Sequence, residues 1–373
     1  MILTVGAVAA GGGCVGRAPD GRVVFVRHAL PGETVRVALT SEGSKFLRAD
    51  AVEVLTASPD RVVPPCRFAG PGLCGGCDWQ HASASAQLVM KQSLVSEQLR
   101  RVGGFAWDGV VESVEPLLGW RTRVQWAGGK GFHKHRSTQV QLVDRCLIAS
   151  SPDSPGPLGE TVEVFAVGDQ QVLVADGRVV AGPHGVRTEV LGRSFEVAGG
   201  GFWQVHVSAP TVLATAVLAG LDPQPGESAV DLYAGVGLFA ALLGDRVGQA
   251  GSVLAVEASA RACADAARNT DDQPWVRVRT AAVDVALVRG LASRRPDVIV
   301  LDPPRAGAGL EVSAALAVLR PRALAYVSCD AASFARDLRV FLDAGWSVTS
   351  LRALDLYPQT EHVELVTLLG PPS

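Results

Sequence analysis

Asp231-Leu-Tyr-Ala-Gly-Val-Gly-Leu-Phe239 reads as the end of an apolar strand, a glycine turn and the first turn of a helix. Gly235 and Gly237 lack the Cβ that would keep a bound molecule away from the backbone. Ala240 stands where a third glycine of G-x-G-x-x-G would fall, and a tight strand-to-helix turn alone would look the same. The flanking chain decides between these readings. SAVDLY (228–233), SVLAVE (252–257), VRVRTAAV before Asp284, PDVIVLD (296–302) and ALAYVSC (323–329) are short apolar runs separated by helical stretches, and HVELVTLL (362–369) closes the series. Strand–helix alternation of this kind predicts a doubly wound, mostly parallel sheet with its ligand at the carboxyl ends of the strands. Glu257 ends the second strand, where an acidic side chain accepts hydrogen bonds from ribose hydroxyls. No Gly-Lys-Ser/Thr follows the glycine turn, so a phosphate-cradling loop is excluded. A nucleoside without pyrophosphate fits better, and S-adenosylmethionine is the candidate.

Three more strand ends carry polar groups. Asp302-Pro303-Pro304-Arg305 follows a buried-type strand, and two prolines stiffen the loop and hold Asp302 in one direction. A plain N-cap role for Asp302 would not explain both prolines. Enzymes that methylate exocyclic amines carry a related Asp/Asn-Pro-Pro followed by an aromatic residue; Arg305 leaves no flat ring at that place. Cys329 ends ALAYVSC on the ligand side, either as a small buried hydrophobe or as a thiol activated at a helix start. In Asp355-Leu-Tyr-Pro-Gln-Thr-Glu-His-Val-Glu364, alternation puts His362 and Glu364 on one face and Glu361 on the other, so Glu364 could enter the site as a proton-abstracting base. A surface strand is the alternative for that segment.

Upstream the patterning changes. Residues 1–57 alternate with period two in short runs such as RVVFVRH (22–28) and TVRVAL (34–39), which predicts a small β-barrel. SPDRVVPPC (58–66) reads as a linker. Gln80–Val102 has helical spacing without Gly or Pro, and residues 108–190 look like short strands with glycine turns. The division is therefore a barrel at 1–57, a central part at 58–190 and the doubly wound part at 191–373. Cys66, Cys74 and Cys77 lie together and Cys146 follows much later. Only one Cys-x2-Cys pair is present, where a zinc ribbon would show two. Three near thiols and a distant fourth suit an iron–sulfur cluster, with zinc or no metal the alternatives. Cys14 and Cys263 are assigned no role.

Composition narrows the class. The chain has 373 residues, 48% hydrophobic and 19% charged, and a formal net charge of −3, so no whole-chain field draws nucleic acid. An RNA partner must be met locally. Between Glu115 and Asp144 there is no acidic residue; Arg121, Arg123, Lys130, Lys134 and Arg136 interleave with Trp120, Trp126, Phe132, His133 and His135. Cations for phosphates and rings for unstacked bases suit single-stranded RNA, although a solvated basic face gives the same composition. Seven cysteines and no export signal predict a cytoplasmic protein without a disulfide framework. No apolar run is long enough to span a membrane, and the chain is read as a monomer.

GFWQVH (201–206), DLYAGVGLF (231–239), AVE (255–257), LDPPRAG (301–307), YVSCD (326–330) and YPQTEHVE (357–364) together resemble, in order and spacing, the RNA 5-methyluridine methyltransferase family. Its members methylate uracil C5 in 23S rRNA and tRNA. The resemblance implies a multidomain chain: an N-terminal OB-like TRAM barrel, a central β-rich iron–sulfur domain and a C-terminal Rossmann-like α/β methyltransferase domain. It implies Cys329 as nucleophile and Glu364 as general base, with Gln204, Tyr233, Glu257 and Asp302 lining the pocket for S-adenosylmethionine and substrate. It also implies a [4Fe–4S] cluster on Cys66, Cys74, Cys77 and Cys146, and RNA as partner, with 23S rRNA ahead of tRNA. A cytosine target would place the thiol in a Pro-Cys pair, which is absent at Arg305. Asp330 and His206 stand where most members have Asn, and Ala234 where a Cys is frequent. Asp330 would add negative charge beside Cys329, and a chain that holds RNA and cofactor without turnover is the alternative function.

Overall fold

The computed structural model describes residues 1–372. Five strands, Ile2–Thr4, Cys14–Arg17, Val23–Arg27, Thr34–Glu42 and Phe46–Thr56, form one sheet in the spatial order first, fourth, fifth, third, second. Alternate residues Val24, Val26, Val35, Val37, Leu47, Ala49 and Ala51 fill its interior, as period-two patterning requires. Glu33 is fully buried there and accepts from the amides of Leu30 and Ser58 and, at 2.6 Å, from both Nε and Nη2 of Arg61. That pairing satisfies an otherwise costly buried charge and fixes the barrel to the linker.

A second sheet of six strands holds, in spatial order, Arg178–Ala181, Gln170–Ala175, Thr161–Val167, Arg123–Ala127, Gly131–His133 and Val140–Leu142. A separate hairpin pairs Gly185–Val190 with Arg193–Ala198, so residue 190 ends the first strand of a hairpin. The helix Ala84–Gln98 starts where the Ser83 hydroxyl accepts from the Ala86 amide. Its Val95, the following Leu99 and Val111 pack into the same core as Leu301, Tyr326 and Phe334 of the C-terminal half. The strand Val111–Ser113 also pairs with that half. Part of the 58–190 segment thus owes its burial to the C-terminal sheet.

That sheet contains β1 (Ser228–Leu232), β2 (Ser252–Glu257), β3 (Val276–Thr280), β4 (Val298–Leu301), β5 (Ala323–Ser328), β6 (Ser347–Asp355) and β7 (Glu364–Gly370). Their spatial order is 3-2-1-4-5-7-6, with Val111–Ser113 at the edge. β1–β5 run parallel and β7 inserts antiparallel between β5 and β6. All four residues of β4 are buried, the continuous apolar run expected of a strand covered on both faces. Strand order reverses between β1 and β4, which opens a crevice at their carboxyl ends.

Candidate active site

A cavity of about 1180 Å³ lies at those carboxyl ends and is lined by Gln204, Tyr233, Glu257, Asp302, Cys329 and Glu364 together. The topology explains the meeting. Cys329 follows the last residue of β5, and Ser328 is in register with Leu365. Because β7 is antiparallel, its first residue, Glu364, arrives at the same edge where β5 ends. β7 begins only at Glu364, so the alternation expected for residues 361–363 does not apply. Glu361 lines the cavity as well, and its Oε2 accepts from the Gly11 amide at 2.5 Å.

The glycine turn divides its work. Gly235 lines the cavity, and its amide donates to Glu257 Oε2 at 3.0 Å. Gly237, at φ +87°, instead faces the helix Ala260–Asn269: a Cβ there would come within 3.2 Å of Ala266 Cβ. Only the first glycine therefore has the role expected of both. Glu257 Oε1 accepts from the Ser259 amide at 2.7 Å. Each oxygen keeps acceptor capacity, which suits a pair of ribose hydroxyls. Tyr233 occupies the left-handed region at φ 62°, a strained state for a bulky residue that holds its ring in the cavity wall.

Electrostatics in the cavity are dominated by carboxylates away from water. Burial pushes Asp302 up to about 6, against the pull of a hydrogen bond from Gln204. Glu364 is raised well above the ordinary carboxylate range by burial and by Asp302. The Cys329 thiol is pushed up to about 12, first by burial and then by Glu364 and Asp302, with Arg305 opposing. The resting thiol is consequently protonated; an added positive charge, or loss of one carboxylate charge, favours the thiolate.

Residues 3–52 match the TRAM domain family. An uncharacterised RNA methyltransferase of Streptomyces coelicolor is 44% identical, over 99% of this chain and 92% of that protein. The 23S rRNA (uracil(1939)-C(5))-methyltransferase RlmD of Pseudomonas putida is 31% identical over 94% of this chain and 89% of its own length. The chain belongs to the RNA uracil-C5 methyltransferases. Its fold is shared with the tRNA (uracil-54, C5)-methyltransferase of Pyrococcus abyssi, solved with S-adenosyl-L-homocysteine, at a TM-score of 0.73 and 20% identity over 99% of this chain and all of that one.

Two departures of this uracil-C5 methyltransferase have structural roles. Asp330 is the N-cap of the helix Ala331–Asp343, its Oδ1 accepting from the Ser333 amide at 2.8 Å. His206 is fully buried and stacked on Trp120 at 5.7 Å and 12°. Its Nδ1 accepts from the Ser208 amide and its Nε2 donates to the Pro116 carbonyl. Burial pulls its pKa down to about 4, so it is a neutral wedge behind the site.

The basic, aromatic stretch is corrected by the fold. Trp120 and Trp126 are fully buried: Trp126, with Phe132 packed on it at 4.4 Å, fills the core of the six-stranded sheet, and Trp120 is held between His206 and Tyr357. They offer no face to a base. His135, Arg136 and Arg121 line the cavity instead.

Cys66, Cys74, Cys77 and Cys146 are free, half-buried thiols near enough for their charges to interact. Among the described residues no three His, Cys, Asp or Glu side chains converge to ligate a single ion. Amide donors do surround these sulfurs: Gln80 Nε2 reaches Cys77 Sγ at 3.2 Å, and the amides of Ile148 and Ala149 point at Cys146. No helix among the described residues is long and apolar enough to cross a membrane. Tyr357 of YPQTEHVE also lines the cavity; the sequence assigns it no role, because an aromatic residue in a loop carries no signal of its partner.

Proposed function

We propose that this methyltransferase converts a uridine of 23S rRNA to 5-methyluridine, with S-adenosylmethionine as methyl donor. The observation that carries the reading is the meeting of Cys329 and Glu364 in one cavity with Glu257 and Asp302. Uracil C5 is a weak nucleophile. Addition of the Cys329 thiolate to C6 turns C4–C5 into an enolate, and C5 then takes the methyl group. Glu364 removes the C5 proton, the C5=C6 bond re-forms and the sulfur leaves. The base must leave its stack to reach Cys329. Glu257 would hold the ribose of the methyl donor, and Gln204, Tyr233 and Asp302 would line the donor and uracil positions. Similarity to the 23S enzyme favours rRNA over tRNA.

Cys66, Cys74, Cys77 and Cys146 would hold a [4Fe–4S] cluster. An all-thiol set with amide donors to its sulfurs fits such a group, whose thiolates are stabilised by N–H···S contacts. When bound it would supply a rigid cross-link for the loop that carries Gly75 and Gly76 at the cavity rim. Iron and sulfide content of anaerobically purified protein distinguishes it from zinc. The three parts at 1–57, 58–190 and 191–373 would then act as RNA-gripping barrel, cysteine-bearing middle and methyltransferase.

The high Cys329 pKa favours one second reading, a chain that holds RNA and cofactor without turnover. RNA carrying 5-fluorouridine separates the two, since fluorine at C5 cannot be removed as a proton. A working enzyme forms a denaturant-stable adduct that Cys329→Ala abolishes; retention of RNA with neither adduct nor methyl transfer establishes the binder. Nucleoside mass spectrometry of rRNA and tRNA from a strain lacking the gene identifies the substrate.

A further inference from the structure

The Glu364 carboxylate is buried, and among the described residues it has one hydrogen-bond donor: the Tyr357 hydroxyl, at 3.0 Å to Oε2. We propose that Tyr357 is the positioning residue for proton abstraction, holding Glu364 by Oε2 so that Oε1 is presented to the C5 proton. This rests on the reading of Glu364 as the base.

The hydroxyl is delivered by a fixed frame. Tyr357 lies on the loop between β6 and β7. Its carbonyl accepts from Lys91 Nζ at 3.0 Å, and the same ammonium bonds Asp355 Oδ1 at 2.5 Å. Thr360 Oγ1 donates to that carbonyl at 2.8 Å. Two residues on, Gln359 exchanges two hydrogen bonds with Gln87. The tyrosine ring meets Trp120 edge-on at 6.2 Å and His362 at 5.9 Å. With backbone and ring both held, the hydroxyl cannot follow Glu364 if the carboxylate swings away.

The charges explain the need for such a donor. Glu364 faces Asp302 at the end of β4, which opposes its ionised form, and Arg305, which favours it; its own charge in turn raises the Cys329 thiol at the end of β5. His362 contributes no charge near neutrality, since burial lowers it to about 4. A hydrogen bond to the carboxylate keeps it available as a base in this company. Tyr357 itself stays protonated, because burial and the Glu364 charge push its pKa well above the ordinary value. It is a donor throughout.

In the step it serves, the proton at C5 passes to Glu364 Oε1. The C5–H electron pair forms C5=C6, and the C6–S pair leaves on Cys329 as thiolate. Tyr357 gains and loses nothing.

Tyr357→Phe keeps the ring and deletes the donor. With ordinary uridine RNA and S-adenosylmethionine, the methylated Cys329–RNA adduct should form at the wild-type rate and decay about 10- to 100-fold more slowly, the range for a lost hydrogen bond to a charged group. Denaturing gels should therefore show the adduct accumulating, as they should more deeply for Glu364→Gln. The acid limb of product release should move to higher pH. Release at the wild-type rate with an unchanged pH profile overturns the assignment, and so does a variant of wild-type thermal stability that forms no adduct. Failure of the wild-type enzyme to form any adduct with 5-fluorouridine RNA overturns the proposed reaction instead.

Discussion

Gln204 Nε2 donates to Asp302 Oδ2 at 3.1 Å, joining the segment ahead of the helix Ala209–Leu221 to the end of β4. The bond crosses 98 residues of chain and connects two polar groups that neither segment could bring together alone. It also holds down a carboxylate that burial has raised to about 6.

Gln204→Leu should consequently lower kcat/KM by about 10- to 100-fold, the range for losing a hydrogen bond to a charged partner. The sign of the pH effect follows. Gln204 favours the ionised form, so its loss raises the Asp302 pKa, and the fall in activity toward acid pH should begin at a higher pH than in the wild type. A pH series of kcat/KM for both proteins checks this.

Alkylation of Cys329 by iodoacetamide reports the thiolate fraction. Glu364 is the largest charge opposing that thiolate, so Glu364→Gln should accelerate alkylation while it blocks product release. A fall of one pKa unit corresponds to about a tenfold rate increase well below the pKa. Mass spectrometry of the Cys329 peptide over time measures it; an unchanged rate means the carboxylate does not reach the thiol.

Asp330→Asn tests whether the acidic neighbour hampers the thiol. Asn caps a helix about as well as Asp, so thermal stability should change by no more than about 0.5 kcal/mol. Cys329 alkylation should quicken less than in Glu364→Gln, because Asp330 is the smaller contributor to the raised thiol pKa.

Lys91→Met should destabilise the fold by about 3–5 kcal/mol, since it leaves Asp355 buried without its partner. Both side chains are almost wholly out of solvent, at 0% and 3% exposure. Denaturant unfolding of the single variant, and of Lys91→Met with Asp355→Leu, separates the two effects: the double variant should recover much of the loss.

The doubly wound half was legible in the sequence because its central parallel strands β1, β2, β4 and β5 are buried on both faces, and such strands announce themselves as apolar runs between helices. The strand-end positions of Glu257, Asp302 and Cys329 followed from that. The aromatic residues were misread for a physical reason. Trp126 sits on the strand Arg123–Ala127, where alternation turns its ring inward with Val124, and Trp120 is stacked behind on His206, so a sequence of rings between cations that suggested a stacking surface is equally a core. The helix at 84–98 was visible, but its packing against the C-terminal core was not, since an apolar face does not name the partner that covers it. Tyr357 escaped notice because its importance lies in a bond to a residue seven positions away across a turn.

The bond between Gly11 and Glu361 joins two residues 350 positions apart, and Gly75 and Gly76 stand on the same rim. Shortening the chain from its amino end would therefore breach the reaction chamber itself, and a catalytic half expressed alone would be an open dish. A substitution in the leading glycine loop, far from any reacting atom in sequence, belongs among the changes that can silence turnover.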